Sequence, residues 1–133
     1  MVKTLEKTTF QARVQNWIDL VFSKNVNKAL FKSPQERRNR FAEEAVELVQ
    51  ACGMSKQEVI QIVEYVYSRP MGELDQEAGG TMVALAGLCN ALDVNMEDSA
   101  ETELQRIHHF DVESKIRAKF LSKPSNSPLQ GQG

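Results

Sequence analysis

The chain has 133 residues, 41% of them hydrophobic and 26% charged, with 16 Lys and Arg against 18 Asp and Glu. That length fits one domain with a tail, and the composition is that of an ordinary soluble globular protein. A net charge of −2 gives no basic field for duplex nucleic acid, and no run of about 18 apolar residues offers a membrane span. Met1 to Lys7 lacks the apolar core of a signal peptide. Cys52 and Cys89 are neither a disulfide framework nor a zinc set. In apolar helical surroundings both read as buried thiols, and the compartment reads as reducing and cytoplasmic.

In chain order, Phe10, Val14, Trp17, Ile18, Val21 and Phe22 follow the helical period and predict a first amphipathic helix over about 9–22. Residues 24–32 carry no pattern and read as a loop. Ser33-Pro34-Gln35-Glu36 is a helix start, with Ser33 to cap, Pro34 at the first helical position and Glu36 to complete a capping box. This helix should end near Ala51 or Cys52, stopped by Gly53. Ser55-Lys56-Gln57-Glu58 is a second capping box, opening a helix that Pro70 terminates. A long helix follows from about Glu73 to Leu92. Its second half, from Thr81, is apolar on nearly every side, which predicts burial all round, as the centre of a bundle or a dimer seam. Gly79, Gly80 and Gly87 would let another helix approach closely. Asn95-Met96-Glu97-Asp98 starts a further helix, with Asp111 capping a continuation to about Leu121. The stretch 124–133 has no periodicity and reads as a flexible tail after a domain spanning 1–123. With no strand pattern and no internal repeat, the fold class is all-α, a bundle of about five helices completed by oligomerisation.

The chemistry concentrates in Arg40-Phe41-Ala42-Glu43-Glu44-Ala45-Val46-Glu47-Leu48-Val49. On a helix, Glu44 and Glu47 are three apart and Glu43 and Glu47 four apart, so each pair shares a face. Carboxylates this close repel one another unless a cation compensates. Glu73 and Glu77 form a second pair at the polar start of the apolar helix. Glu44, Glu47 and Glu77 on facing helices would make an oxygen-only site suited to Mg²⁺ or Mn²⁺. The plainer reading is that these glutamates are a solvated face, while Glu36 and Glu43, near the start of their helix, answer the helix dipole or pair with Arg40. Lys115, Arg117, Lys119 and Arg40 divide the same way, between a solvated face and contacts to a phosphate. Trp17 is the sole tryptophan and is either a core anchor or a stacking platform for a flat ring.

Glu43-Glu44-Ala45-Val46-Glu47 resembles the EExxE motif of the all-α nucleoside triphosphate pyrophosphohydrolases, the MazG-like superfamily that includes phosphoribosyl-ATP pyrophosphohydrolase and the dimeric dUTPases. Glu77-Ala78-Gly79-Gly80 before an apolar helix is similar to the second motif, ExxD, and the resemblance runs from about Phe10 to Lys119. It implies Mg²⁺-dependent attack of water on the α-phosphate of a nucleotide, giving a monophosphate and pyrophosphate. It further implies metal ligation by Glu44, Glu47 and Glu77 and a catalytic carboxylate set of Glu43, Glu44 and Glu47, in which Glu43 supports the site or orients water. Trp17, Arg40, Lys115, Arg117 and Lys119 become the candidate substrate contacts, and a homo-oligomer, dimer or tetramer, is expected. Gly80 stands where the motif has aspartate, and Glu73, one turn before Glu77, or less easily Asp75, would take its place as the fourth ligand. The interval from Glu47 to Glu77 also holds a whole extra helix. The alternative function is a non-catalytic nucleotide- or protein-binding module on the same scaffold, with Gly80 as the mark of lost chemistry.

Overall fold

The structure, a computed structural model, describes residues 9–21 and 32–109. Among them are five α-helices and no strand: α1 Phe10–Val21, α2 Pro34–Ala51, α3 Lys56–Tyr67, α4 Leu74–Ala91 and α5 Met96–Ile107. The all-α fold class therefore holds, and no helix among the described residues is long and apolar enough to cross a membrane. The expected helix after Asp111, the 124–133 tail and the 24–31 stretch lie outside the described residues, as do Lys115, Arg117 and Lys119.

Local hydrogen bonding explains each boundary. The Thr9 hydroxyl accepts from the Ala12 N–H at 3.1 Å and opens α1. The Ser33 hydroxyl accepts from the Glu36 N–H at 3.2 Å and opens α2. At α3 both halves of the capping box are present: the Ser55 hydroxyl accepts from Glu58 N–H at 3.1 Å, and the Glu58 carboxylate accepts from Ser55 N–H at 2.9 Å. The Asn95 side chain accepts from Asp98 N–H at 2.9 Å and starts α5. These bonds satisfy helix-start donors that otherwise have no partner.

Two helices end in the same way. After α2, Gly53 takes φ +90°, its N–H donates to Gln50 O at 2.9 Å, and Met54 N–H donates to Val49 O at 3.0 Å. After α4, Asp93 takes φ 56°, and Val94 N–H donates to Cys89 O at 2.9 Å. Both are left-handed C-terminal caps of the Schellman type, at a glycine in one case and an aspartate in the other.

The chain divides into two compact units: Glu43–Glu103 forms one, and the chain on either side of it forms the other. The core of the flanking unit holds Trp17, Ile18 and Leu104, all buried. Each such side chain contributes about 1.5–3 kcal/mol by leaving water. Trp17 Nε1–H donates to the Ile107 carbonyl at 3.1 Å, which ties α1 to one of the carbonyls that the end of α5 leaves without a helical partner. Lys32 and Asp19 pair at 2.5 Å.

The central unit is less filled. Among its described residues only Cys89 is buried. The apolar second half of α4 was expected to be buried all round, but Leu85, Ala86 and Leu88 are half-buried and the opposite face is open to solvent. Among the described residues, too few neighbours pack on this helix to surround it. Helix α3 buries none of its side chains. Cys52, expected to be a buried thiol, is exposed, because α2 has already ended at Ala51.

The two units differ sharply in charge. Residues 43–103 carry thirteen Asp and Glu against two Lys and Arg, a net −11. The flanking unit carries fourteen Lys and Arg against five Asp and Glu, a net +9, and the near-neutral total of −2 averages these opposites.

Candidate functional site

The five carboxylates singled out by sequence all fall in the acidic central unit. Glu43, Glu44 and Glu47 lie on α2, where Glu43 is half-buried and Glu44 and Glu47 are exposed. The helix is continuous through them, so the three- and four-residue spacings do place these side chains on adjacent turns. Glu73 and Glu77 are exposed at the start of α4. The helix was expected to start at about Glu73, and Glu73 occupies its N-cap with extended backbone (φ −87°, ψ 137°) and no side-chain capping bond, while its carbonyl accepts from Glu77 N–H at 2.9 Å.

Glu77 is in the first helical turn, where the aligned peptide dipoles favour a carboxylate. Its side chain folds back over Gly72: a Cβ built at Gly72 would collide with the Glu77 carboxylate. The bare Gly72 thus makes room for the Glu77 carboxylate. Gly80, at the aspartate position of the second motif, faces open space. Among the described residues no group of three or more His, Cys, Asp or Glu is gathered closely enough to hold a metal ion. The donor chemistry, carboxylate oxygen throughout, suits a hard divalent cation, and exposed glutamates change rotamer without disturbing a core.

The substrate-contact candidates in the flanking unit are held by other partners. Trp17 is buried at 9% exposure with its N–H engaged, the arrangement of a core anchor. Arg40 Nε lies 2.9 Å from Glu36 Oε1, four residues earlier on α2. Glu36 is fully buried. Sequence offered Glu36 as a capping carboxylate or as a partner of Arg40 at i,i+4 and missed its burial. Arg37 joins this cluster. Burial pushes its guanidinium below the ordinary value, Glu36 opposes the shift, and Arg40 adds to it. The exposed Glu58 carboxyl is also held below its ordinary value, first by the backbone N–H of Ser55 and then by the Ser55 side chain.

Comparisons with protein-family models, with curated proteins and with solved structures find no match to this chain.

Proposed function

We propose that the chain is a Mg²⁺-dependent nucleotide pyrophosphohydrolase, splitting the α–β phosphate bond of a (d)NTP or related nucleotide into monophosphate and pyrophosphate. The observation that carries this reading is the concentration of charge. An EExxE helix and Glu77 sit in one compact unit of net −11, and an excess of negative charge of that size favours bound cations. Mn²⁺ has the same ligand preference and would substitute.

Glu44, Glu47 and Glu77 would hold the cation, with Glu73 as a further oxygen donor from the α4 N-cap. The cation, when bound, supplies charge neutralisation at the phosphates and a lowered pKa for the attacking water. Glu43, half-buried, is the carboxylate best restrained to orient that water and accept its proton. Arg40, Lys115, Arg117 and Lys119 stay the phosphate-contact candidates that the resemblance implies. Trp17 has the weaker claim on the base, because its ring is already buried. The resemblance to MazG-like enzymes rests on the same residues; the homo-oligomer proposed with it rests on the apolar second half of α4, and the cytoplasmic setting on the two free thiols.

A second reading is a binding module without catalysis, favoured by Gly80 in the aspartate position. Calorimetric titration with Mn²⁺ tests the part common to both. Binding that weakens at least tenfold in Glu44→Gln and Glu47→Gln supports the carboxylate site. Unchanged binding in a Glu44→Gln/Glu47→Gln/Glu77→Gln protein removes it. Pyrophosphate release then separates the enzyme from the module.

A further inference from the structure

Helix α2 begins with a buried charge cluster. Glu36 is fully buried, and Arg40, four residues on, puts its Nε 2.9 Å from Glu36 Oε1. Arg37 is half-buried. Its Nε is shut off from solvent, and no hydrogen-bond acceptor reaches that atom among the described residues. An arginine keeps its proton in a protein, so this donor stays charged. A buried charged donor without an acceptor is unfavourable and rare in a folded protein. All three residues belong to the flanking unit, so the cluster is built within one compact part of the chain.

The surroundings of Arg37 show what is short. The cluster holds two guanidiniums against one carboxylate. Burial disfavours the charge on Arg37, Glu36 favours it, and Arg40 opposes it. The exposed neighbour Arg38 differs, since its Nε and Nη2 donate to Asn39 Oδ1 at 3.2 and 3.1 Å. Backbone donors at the start of α2 are engaged as well: Glu36 N–H donates to the Ser33 hydroxyl and Arg37 N–H to the Ser33 carbonyl. That leaves one positive charge in excess and one guanidinium edge, near the end of a helix whose dipole favours anions.

The Nε edge of a guanidinium matches an oxyanion, phosphate or carboxylate. A carboxylate offers two oxygens in one plane. A phosphate offers oxygens in several directions, so it can meet Arg37 and also Arg40, one turn along the same face. We infer that Arg37 and Arg40 form a binding site for a phosphate group, free or carried by a nucleotide, with buried Glu36 holding Arg40 in place. Arg40 was already a candidate for such a contact; the structure adds Arg37 and makes it the principal donor. Arg37 keeps part of its side chain in solvent, so a rotamer change brings its Nε edge to the ligand. The site needs neither the carboxylates of the central unit nor a divalent cation, so it stands or falls separately from the proposed activity.

Calorimetric titration of the full chain in EDTA at fixed ionic strength tests it, with inorganic phosphate, pyrophosphate and ATP as probes in turn. Saturable binding of at least one is expected. Tighter binding of ATP than of pyrophosphate assigns the site to a nucleotide, and equal or weaker binding assigns it to a free phosphate. Arg37→Gln should weaken binding about tenfold or more, the loss of a hydrogen bond from a charged donor, with unchanged far-ultraviolet circular dichroism. Arg37→Lys keeps the charge beside Glu36 without the fork and should weaken binding too, so a folding defect in the first variant does not hide the result. Arg38→Gln removes the same charge one residue away and should leave affinity within twofold. No saturable binding of any probe overturns the inference. So do equal losses in Arg38→Gln and Arg37→Gln, or acetate binding as tight as that of phosphate.

Discussion

Replacing Glu36 by Gln should be among the most destabilising single changes in the flanking unit, although it alters one atom type and almost no volume. Glu36 is fully buried, and its Oε1 lies 2.9 Å from Arg40 Nε, whose side chain is only 16% exposed. At an effective dielectric of about 20 the attraction at that separation is about 6 kcal/mol before desolvation. Removing one partner of a buried pair costs about 3–5 kcal/mol, most of it the penalty of the charge left behind. Here two guanidiniums are left, because Arg37 also leans on Glu36. Arg40 keeps some solvent, which places the loss near the lower bound, about 3 kcal/mol. For a chain of this size that is a fall in Tm of roughly 10 °C. Urea unfolding monitored by Trp17 fluorescence is the assay, since the sole tryptophan is buried in the same unit. Glu36→Leu combined with Arg40→Met should recover part of the loss, as apolar replacements of buried pairs commonly do. A cost below about 1 kcal/mol for Glu36→Gln, the range of a surface ion pair, would refute the reasoning.

Other outcomes follow from the same geometry. Gly53→Ala forces a side chain into φ +90° and should cost about 1–2 kcal/mol in chemical denaturation. Gly72→Ala should cost less than about 1 kcal/mol, because the obstructing group is the mobile end of an exposed glutamate that can turn away; a loss of several kcal/mol would show that the Glu77 position is rigidly held. Trp17→Phe should lose about 1 kcal/mol of stability with its hydrogen bond to Ile107 and leave nucleotide affinity within twofold; a large affinity loss would restore the stacking role. Glu58 has a folded pKa below its unfolded value, so its stabilisation is present above the ordinary carboxylate pKa of about 4.3 and disappears as pH falls through the lower folded value. Between about pH 5 and pH 3 the Tm of the parent protein should therefore fall more steeply than that of Glu58→Gln.

What could be read from sequence was the chemistry of helix ends. Ser33, Ser55, Asn95 and Gly53 act through bonds to residues two to four positions away, and the helices start and stop where those residues indicate. The burial of α4 was not legible in the same way. Hydropathy shows that a face avoids water but not whether the cover comes from the same chain. The burial of Glu36 was missed for a related reason: spacing along α2 names Arg40 as its partner, but only packing reveals that it is buried beside two arginines. The opposed charges of the two units were hidden in a total of −2, because the acidic segment is flanked in sequence by the basic segments that make up the other unit. For the candidate site, sequence located Glu43, Glu44 and Glu47 on one helix and Glu77 on another. It put Glu73 at the start of α4, where it is the N-cap, but it gave no hint that Gly72 makes room for Glu77.

Phosphorus-31 NMR of the full chain incubated with each common (d)NTP and Mg²⁺ tests the proposed activity most directly, because it identifies the bond cleaved. The account predicts nucleoside monophosphate and pyrophosphate in equal amounts from at least one nucleotide. The release should be abolished by chelation, and lowered at least a hundredfold by Glu44→Gln or Glu47→Gln at unchanged thermal stability. Release of inorganic phosphate and diphosphate instead, no turnover of any nucleotide, or full activity in the Glu44→Gln/Glu47→Gln protein would contradict it.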